Sequence, residues 1–190
     1  MRLLIIDNYD SFTYNLVHYA KPFVDELIVR RNDEISLDEV ADFDAIILSP
    51  GPGLPKDTGI SSEVVRRFAS QKKILGVCMG MQVIAEAFGG RLRNLDEPLH
   101  GVAVETYTTP IPDMLFRGLP SKFMTGRYHS WVVDEATLPS DFLITAKDKY
   151  NLIQAIRHKE YDLSAVQFHP ESVLTDFGQK MIENWLGLIN

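Results

Sequence analysis

The chain has 190 residues, of which 45% are hydrophobic and 24% charged, close to the averages of soluble globular proteins. This length and composition exclude a fibrous or low-complexity protein and fit one domain spanning residues 1–190. The formal net charge of −7 argues against nucleic acid as a partner. No apolar run approaches the roughly 18–20 residues of a membrane span. Asp7 also comes too early for a signal-peptide core, so we expect a cytoplasmic protein with no membrane partner.

Continuous apolar runs in the first half predict strands of a parallel sheet, because strands covered on both faces are apolar at every position. The runs are Leu3–Ile6, Ala45–Leu48 and Ile74–Val77, with Glu26–Val29 as a candidate fourth strand. The helices predicted between them are Ser11–Ala20 behind a candidate cap at Asp10, Ser61–Ala69, and Met81–Phe88 ahead of Gly89-Gly90. This order of elements indicates an open α/β sheet.

The second half changes character, with short strands and no long helix between them. The predicted strands are Gly101–Thr108, Lys122–Tyr128, Ser130–Val133, Phe142–Ala146, Ile153–Arg157 and Ala165–Phe168, and Pro110-Ile111-Pro112 is a predicted loop. We interpret these strands as antiparallel additions to the sheet. An amphipathic helix over about Asp176–Leu188 closes the chain, with its core face formed by Phe177, Met181, Trp185 and Leu188.

The single cysteine, Cys78, follows an apolar strand and precedes a helix. A lone cysteine excludes an intrachain disulfide framework and a multi-cysteine metal site. Gly76 and Gly80 allow the sharp strand-to-helix turn that presents a nucleophile, and the backbone N–H of Met79 would then face an oxyanion. The alternative is a small buried core cysteine. The two flanking glycines favour the nucleophile.

A thiol nucleophile requires a base, and His169 is the best placed of the five histidines. It closes an apolar strand, and Glu171 two positions later can bond its second ring nitrogen. The pattern predicts a Cys78–His169–Glu171 triad. For His169 and Glu171 alone, the alternative is an ordinary surface turn. We expect His18 on a helix face and His158 at an exposed strand end.

A rigid loop rich in proline and glycine, Ser49–Pro55, follows the strand Ala45–Leu48. Loops at the carboxyl ends of parallel strands line the ligand crevice, so this loop is expected to face Cys78. The N–H of Gly53 is then a candidate second oxyanion donor. The alternative is a simple turn. The loop lacks the Lys-Ser/Thr ending of a phosphate-binding loop.

Three segments, in this order and spacing, resemble the motifs of the class I (triad-type) glutamine amidotransferases: Ser49–Gly53, Gly76–Gln82 and Gln167–Ser172. Three further segments narrow the resemblance to the glutaminase subunits of anthranilate synthase and aminodeoxychorismate synthase: Asp7–Asn15, Leu99–Gly101 and Arg127–Ser130. The resemblance runs from Arg2 to about Leu186. It implies a flavodoxin-like α/β fold, with an open, mostly parallel central sheet flanked by helices and antiparallel strands added in the second half.

The resemblance also implies roles for individual residues. Cys78 would be the nucleophile, His169 the general base and acid, and Glu171 the carboxylate that orients His169. The residues implied to bind glutamine or its oxyanion are Gly51, Pro52, Gly53, Met79, Gln82, Ser130 and Trp131. Many family members have leucine and histidine at the positions of Met79 and Met81, and leucine at that of Trp131, but the triad is intact.

The implied reaction is hydrolysis of glutamine to glutamate, with ammonia passed to a chorismate-binding synthase subunit in a hetero-oligomer. This chain would hold no metal or organic cofactor, and Mg²⁺ would lie on the partner. We prefer the anthranilate branch, which leads to tryptophan; the alternatives are the aminodeoxychorismate branch, which leads to folate, or use by both. A cysteine peptidase-like hydrolase and an inactive binding module are more distant alternatives.

The partner is expected to dock over the mouth of the Cys78 site, because ammonia must pass between the two active sites. Tyr9–Phe12 follows the first strand and so emerges at the same edge of the sheet, and Leu99–Gly101 is expected to contribute as well. Two aromatic rings at this edge indicate an interface. The alternative is that both rings pack inward on the local helix.

Overall fold

The computed structural model describes residues 1–187, apart from the side chains of residues 97–99, and places nine strands in one sheet. The strands are β1 (Arg2–Asp7), β2 (Glu26–Arg31), β3 (Ala45–Leu48), β4 (Lys73–Val77), β5 (Leu92–Thr108), β6 (Lys122–Val133), β7 (Phe142–Asp148), β8 (Ile153–His158) and β9 (Leu163–Val166). Their order is β2-β1-β3-β4-β9-β8-β7-β5-β6. The described helices are α1 (Thr13–Ala20), α2 (Leu37–Val40), α3 (Ser61–Phe68), α4 (Met79–Ala87) and α5 (Gly178–Trp185).

The five strands from β2 to β9 run parallel, and the remaining pairs, from β9 through β8, β7 and β5 to β6, are antiparallel. The predicted fold class is therefore confirmed. The last strand in sequence, β9, lies between the two halves because it pairs in parallel with β4 and antiparallel with β8. The carboxyl ends of β1, β3, β4 and β9 thus meet at one edge of the sheet.

Helices cover both faces of the parallel strands, which explains why these strands are apolar at consecutive positions. On one face, Leu4 packs in a cluster with residues of α2, α3 and α4, including Phe68. On the other face, Leu3 packs in a cluster with residues of α1 and α5, including Leu16 and Trp185. Successive residues of β1 therefore serve opposite layers of the core.

Several helices begin at residues other than those predicted, for local reasons. Asp10 does not cap α1: its carboxylate accepts a hydrogen bond from the N–H of Phe12 at 2.7 Å, and the helix begins one residue after Phe12. Helix α4 begins at Met79, two residues earlier than predicted. The four-residue helix α2 was not predicted, although Ser36 and Glu39 cap it reciprocally.

In the second half, the two predicted segments on either side of His129 form one strand, β6, and β5 begins at Leu92, well before Gly101. Strand β9 ends at Val166 rather than at Phe168, and its prediction as an antiparallel addition is only half right, because it pairs in parallel with β4 and antiparallel with β8. The loop at Pro110-Ile111-Pro112 is confirmed.

Three predictions about single side chains have other outcomes. The prediction that Phe177 faces the core is wrong: it has φ +59° and is 48% exposed, whereas Met181 and Trp185 are buried. Leu188 lies outside the described residues. The expected exposure of His158 is also wrong, because its ring is buried and stacks on Tyr161 with 4.1 Å between ring centroids. None of the helices described has the length and apolarity that a membrane crossing requires.

Candidate active site

Cys78 lies at the junction of β4 and α4 with φ +52° and ψ −101°, a conformation that non-glycine residues seldom adopt. Its N–H donates a hydrogen bond to the carbonyl of Val166 in β9 at 2.8 Å. The flanking glycines are required by close packing: a Cβ on Gly76 would lie 2.6 Å from the backbone of Gly80, and one on Gly80 would lie 2.4 Å from the carbonyl oxygen of Leu48. The predicted sharp turn is therefore present.

His169 lies just beyond the carboxyl end of β9, the strand beside β4. Its Nδ1–H donates to the Oε1 of Glu171 at 2.7 Å, and both side chains are buried. Nε2 of His169 has no hydrogen-bond partner among the described groups. Cys78 lies close enough to His169 to raise the pKa of its ring. The structure thus brings together the three residues of the predicted triad, with Glu171 bonded to Nδ1 of His169.

Three effects act on the pKa of His169. Burial lowers it, because a protein interior solvates an imidazolium poorly. The sulfur of Cys78 and the carboxylate of Glu171 raise it, and together they bring the pKa well above the ordinary value of 6.5. An imidazole held by a carboxylate beside a thiol is the arrangement expected of a cysteine nucleophile and its base.

Two aromatic rings enclose His169. The centroid of the Tyr128 ring lies 4.9 Å from that of His169, and the centroid of the Phe12 ring lies 6.1 Å away, edge to face. Tyr128 is fixed in turn by a hydrogen bond between its hydroxyl and the Oγ of Ser172 at 2.9 Å. These contacts restrict rotation of the imidazole, so the ring remains aligned with Glu171.

A cavity of about 350 Å³ opens beside Cys78 and is lined by Gly51, Pro52, Gly53, Cys78, Met79, Gln82, His100, Tyr128, His129, Ser130 and Trp131. Every residue that the sequence assigned to glutamine or oxyanion binding borders it. A larger cavity of about 580 Å³, bordered by Pro110, Asp113 and Arg157, contains none of the predicted site residues.

Gln167 is a buried site residue that the sequence analysis did not assign a role. Its Nε2 lies 3.7 Å from the Sγ of Cys78 and donates to it, and its Oε1 accepts from Gln82 at 3.4 Å. The Nε2 of Gln82 also donates to the carbonyl of Trp131 at 3.0 Å. The available signal was a polar residue within the apolar segment that leads to His169.

His129 borders the cavity and was also assigned no role in the sequence analysis. Burial and the nearby charge of Arg127 lower its pKa to about 3, although the hydrogen bond from Nδ1 to the carbonyl of Trp131 acts in the opposite direction. The ring is therefore neutral at pH 7, and in the described part of the chain its Nε2 has no partner. Arg127 itself forms a buried ion pair with Asp148 at 3.1 Å.

The family model described as glutamine amidotransferase class-I matches residues 4–188. Aminodeoxychorismate/anthranilate synthase component 2 of Bacillus subtilis is 44% identical, covering 97% of this chain and 95% of the relative. Anthranilate synthase component 2 of Lactococcus lactis is 46% identical, covering 99% and 95%. Aminodeoxychorismate synthase component 2 of Escherichia coli is 43% identical, covering 97% and 98%.

Among solved structures, a putative GMP synthase subunit from Thermoplasma acidophilum is similar with a TM-score of 0.88 and 25% identity, covering 99% of this chain and 93% of that one. The family model and the relatives agree along almost the same span of sequence. The chain therefore belongs to the class-I glutamine amidotransferases.

Proposed function

We propose that this chain is the glutaminase subunit of a chorismate-utilising synthase, in which it hydrolyses the side-chain amide of glutamine and passes ammonia to the synthase subunit. The observation that carries the proposal is the meeting of Cys78 with the hydrogen-bonded His169–Glu171 pair beside a small cavity. Residues 1–190 act as one domain in this proposal, because strands from both halves form one sheet.

In the first half-reaction, the thiolate of Cys78 attacks the amide carbon of glutamine. The electron pair of the carbonyl bond moves to oxygen, and the backbone N–H groups of Gly53 and Met79 stabilise the resulting oxyanion. The tetrahedral intermediate then collapses, the carbon–nitrogen bond breaks, and His169 donates its Nε2 proton to the departing nitrogen. The products are ammonia and a thioester on Cys78.

In the second half-reaction, neutral His169 takes a proton from a water molecule that attacks the thioester. Collapse of the second intermediate breaks the carbon–sulfur bond and releases glutamate, and the Cys78 thiolate and the His169 imidazolium are restored. Glu171 keeps Nε2 directed at the reacting atoms throughout. These steps require no metal or organic cofactor in this chain.

Ammonia that escapes into neutral water becomes mostly ammonium, which is not nucleophilic, so direct transfer to an acceptor site is required. We assign that site to a partner subunit that binds chorismate and Mg²⁺, in a hetero-oligomer. We prefer anthranilate synthase as the partner. Aminodeoxychorismate synthase is the alternative, because relatives of both names have similar identity to this chain.

Exposed apolar side chains in the segments that follow β1 and β9 support a docking surface for the partner. Val173 is 96% exposed, Tyr14 70% and Tyr9 49%. The ring of Phe12 lies against the rings of Tyr128 and His169, with centroid separations of 5.7 and 6.1 Å. We assign the docking surface to Tyr9, Phe12, Tyr14 and Val173, with a contribution from Leu99–Gly101, in which the side chain of Leu99 lies outside the described residues.

Ammonia release and chorismate amination test the proposal, using wild-type chain and Cys78→Ser, each with the purified synthase subunit of anthranilate synthase or of aminodeoxychorismate synthase. We expect Cys78→Ser to abolish amination supported by glutamine and to preserve amination supported by ammonium salts. Magnesium chelation should stop amination while glutamine hydrolysis continues. Absence of glutamine-dependent ammonia release with both partners would refute the proposal, and peptide cleavage would instead favour a peptidase.

A glutamine analogue carrying a diazo-ketone provides a second measurement. It should alkylate Cys78 faster in the folded chain than in a denatured control, and the lone cysteine makes the site of labelling unambiguous by mass. Equal rates would contradict an activated thiol.

A further inference from the structure

Asn8 is a buried polar residue directly after β1, and none of its groups takes part in the reaction described above. Its side-chain Nδ2 donates to the carbonyl of Ser49 at 2.9 Å. Its Oδ1 accepts from the Nδ2 of Asn32 and from the hydroxyl of Ser61, both at 3.0 Å. A buried amide must find partners at both ends, so these bonds fix its orientation.

Asn8 also supports the start of the loop that borders the active site. Its backbone N–H donates to the Oγ of Ser49 at 2.8 Å, and that hydroxyl donates to the carbonyl of Pro50 at 2.6 Å. Gly51 then rests directly on Asn8: a Cβ on Gly51 would lie 2.4 Å from the carbonyl oxygen of Asn8 and 2.7 Å from its Cβ. Two hydrogen bonds between Asn8 and Ser49 and one close backbone contact between Asn8 and Gly51 therefore determine where the loop leaves β3.

The Oδ1 of Asn8 accepts hydrogen bonds from two residues that do not line the cavity, Asn32 and Ser61. Asn32 follows β2, and its N–H donates to the carbonyl of Asp7 at the end of β1 at 3.1 Å. Ser61 opens α3. Neither residue lines the cavity, and neither does Asn8. Asn8 thus links the ends of β1, β2 and β3 to a loop whose later residues, Pro52 and Gly53, face Cys78.

We propose that Asn8 is a positioning residue for glutamine hydrolysis, and that it places the N–H of Gly53 at the developing oxyanion through Ser49 and Gly51. The proposal rests on the function assigned above, in which this N–H stabilises the oxyanion. A misplacement of about 1 Å lowers a rate about 10²-fold, and loss of one oxyanion donor lowers kcat about 10²–10³-fold. Loosening the loop without deleting the donor should lower kcat about 10–100-fold.

The test compares Asn8→Ala and Ser49→Ala with the matched control Ser61→Ala. Asn8→Ala removes the hydrogen bond from Asn8 Nδ2 to the carbonyl of Ser49, and Ser49→Ala removes the one from the Asn8 N–H to the Oγ of Ser49. Ser61→Ala removes one hydrogen bond to the Oδ1 of Asn8 and leaves both hydrogen bonds between Asn8 and Ser49 in place. For each variant we would measure kcat and KM for glutamine hydrolysis, the melting temperature, and the rate at which iodoacetamide alkylates Cys78, a displacement that forms no oxyanion.

We expect Asn8→Ala and Ser49→Ala to lower kcat about 10–100-fold, while KM and the alkylation rate change less than about threefold. Ser61→Ala should retain kcat within about twofold. The inference is overturned if Asn8→Ala retains kcat within threefold, if alkylation falls in parallel with kcat, or if Ser61→Ala loses as much kcat as Asn8→Ala.

Where Asn8→Ala does not yield folded protein, Ser49→Ala decides the question by the same criteria. A wild-type chain that fails to hydrolyse glutamine with either synthase partner overturns the proposed function, and this inference with it. An active wild-type chain with unaffected Asn8→Ala and Ser49→Ala variants overturns the inference alone.

Discussion

Acidification from pH 7 to pH 5 should destabilise the fold through the buried, neutral His129. Its pKa is about 3 in the folded chain, against 6.5 for an unperturbed histidine. At pH 5 the unfolded chain binds a proton at this position and the folded chain does not, so the unfolded state gains relative stability as pH falls below 6.5. The 1.5 pH units between 6.5 and 5 correspond to about 2 kcal/mol at 1.36 kcal/mol per unit.

Burial is the main cause of this lowered pKa, and the charge of Arg127 adds to it. His129→Asn removes the titrating ring and retains a side-chain N–H that can replace the Nδ1 donor to the carbonyl of Trp131. Comparison with this variant isolates His129, because every other titratable group is present in both proteins.

Urea unfolding of wild type and His129→Asn at pH 7 and pH 5 gives the free energies of unfolding. The unfolding free energy of His129→Asn minus that of wild type should be about 2 kcal/mol more positive at pH 5 than at pH 7. A difference that does not change with pH would refute the reasoning. So would an NMR titration that places the pKa of His129 in the folded chain near 6.5.

Two further predictions concern the buried ion pair and the docking surface. Asp148→Ala should lower the free energy of unfolding by about 3–5 kcal/mol, because it leaves Arg127 buried without its partner. The control Asp162→Ala removes an exposed ion pair with Lys73 and should lower the free energy of unfolding by less than about 1 kcal/mol. Equal losses in urea titrations would contradict this prediction. Tyr9→Glu should weaken binding of the synthase subunit and lower glutamine-dependent amination. The control Met114→Glu should change neither, because Met114 is similarly exposed but lies beside the carboxyl end of the antiparallel strand β8. Unchanged affinity of folded Tyr9→Glu in a titration would show that Tyr9 is not part of the interface.

The features that sequence could predict are those governed by local pattern. Consecutive apolar residues identify β1, β3 and β4 because both faces of these strands are covered. The glycine on either side of Cys78 identifies the turn, since the close contacts of Gly76 and Gly80 admit no side chain. His169 and Glu171 are close in sequence, so their hydrogen bond required only that the segment turn after β9.

The features that sequence missed depend on packing between distant segments. Gln167 acquires its contact with Cys78 only when β9 lies beside β4, and nothing local to His129 indicates the burial that depresses its pKa. Phe177 has the spacing of a core residue, but a left-handed backbone directly before α5 turns its ring outward. His158 carries a polar ring yet is buried, because the backbone N–H groups of Glu160 and Tyr161 satisfy its Nδ1.

The central position of β9 also determines when the protein becomes an enzyme during its synthesis. Gln167 and Cys78 lie side by side just beyond the ends of β9 and β4 but are separated by 89 positions in the chain. A nascent chain that ends before β9 carries Cys78, the proposed nucleophile, beside an unpaired edge of β4, and such an edge is prone to association with other chains. Insertion of β9 protects that edge and delivers His169 to Cys78 in the same event. A ribosome that stops early therefore releases a polypeptide that lacks His169, the proposed base, so we expect truncated products to be prone to aggregation and unable to consume glutamine.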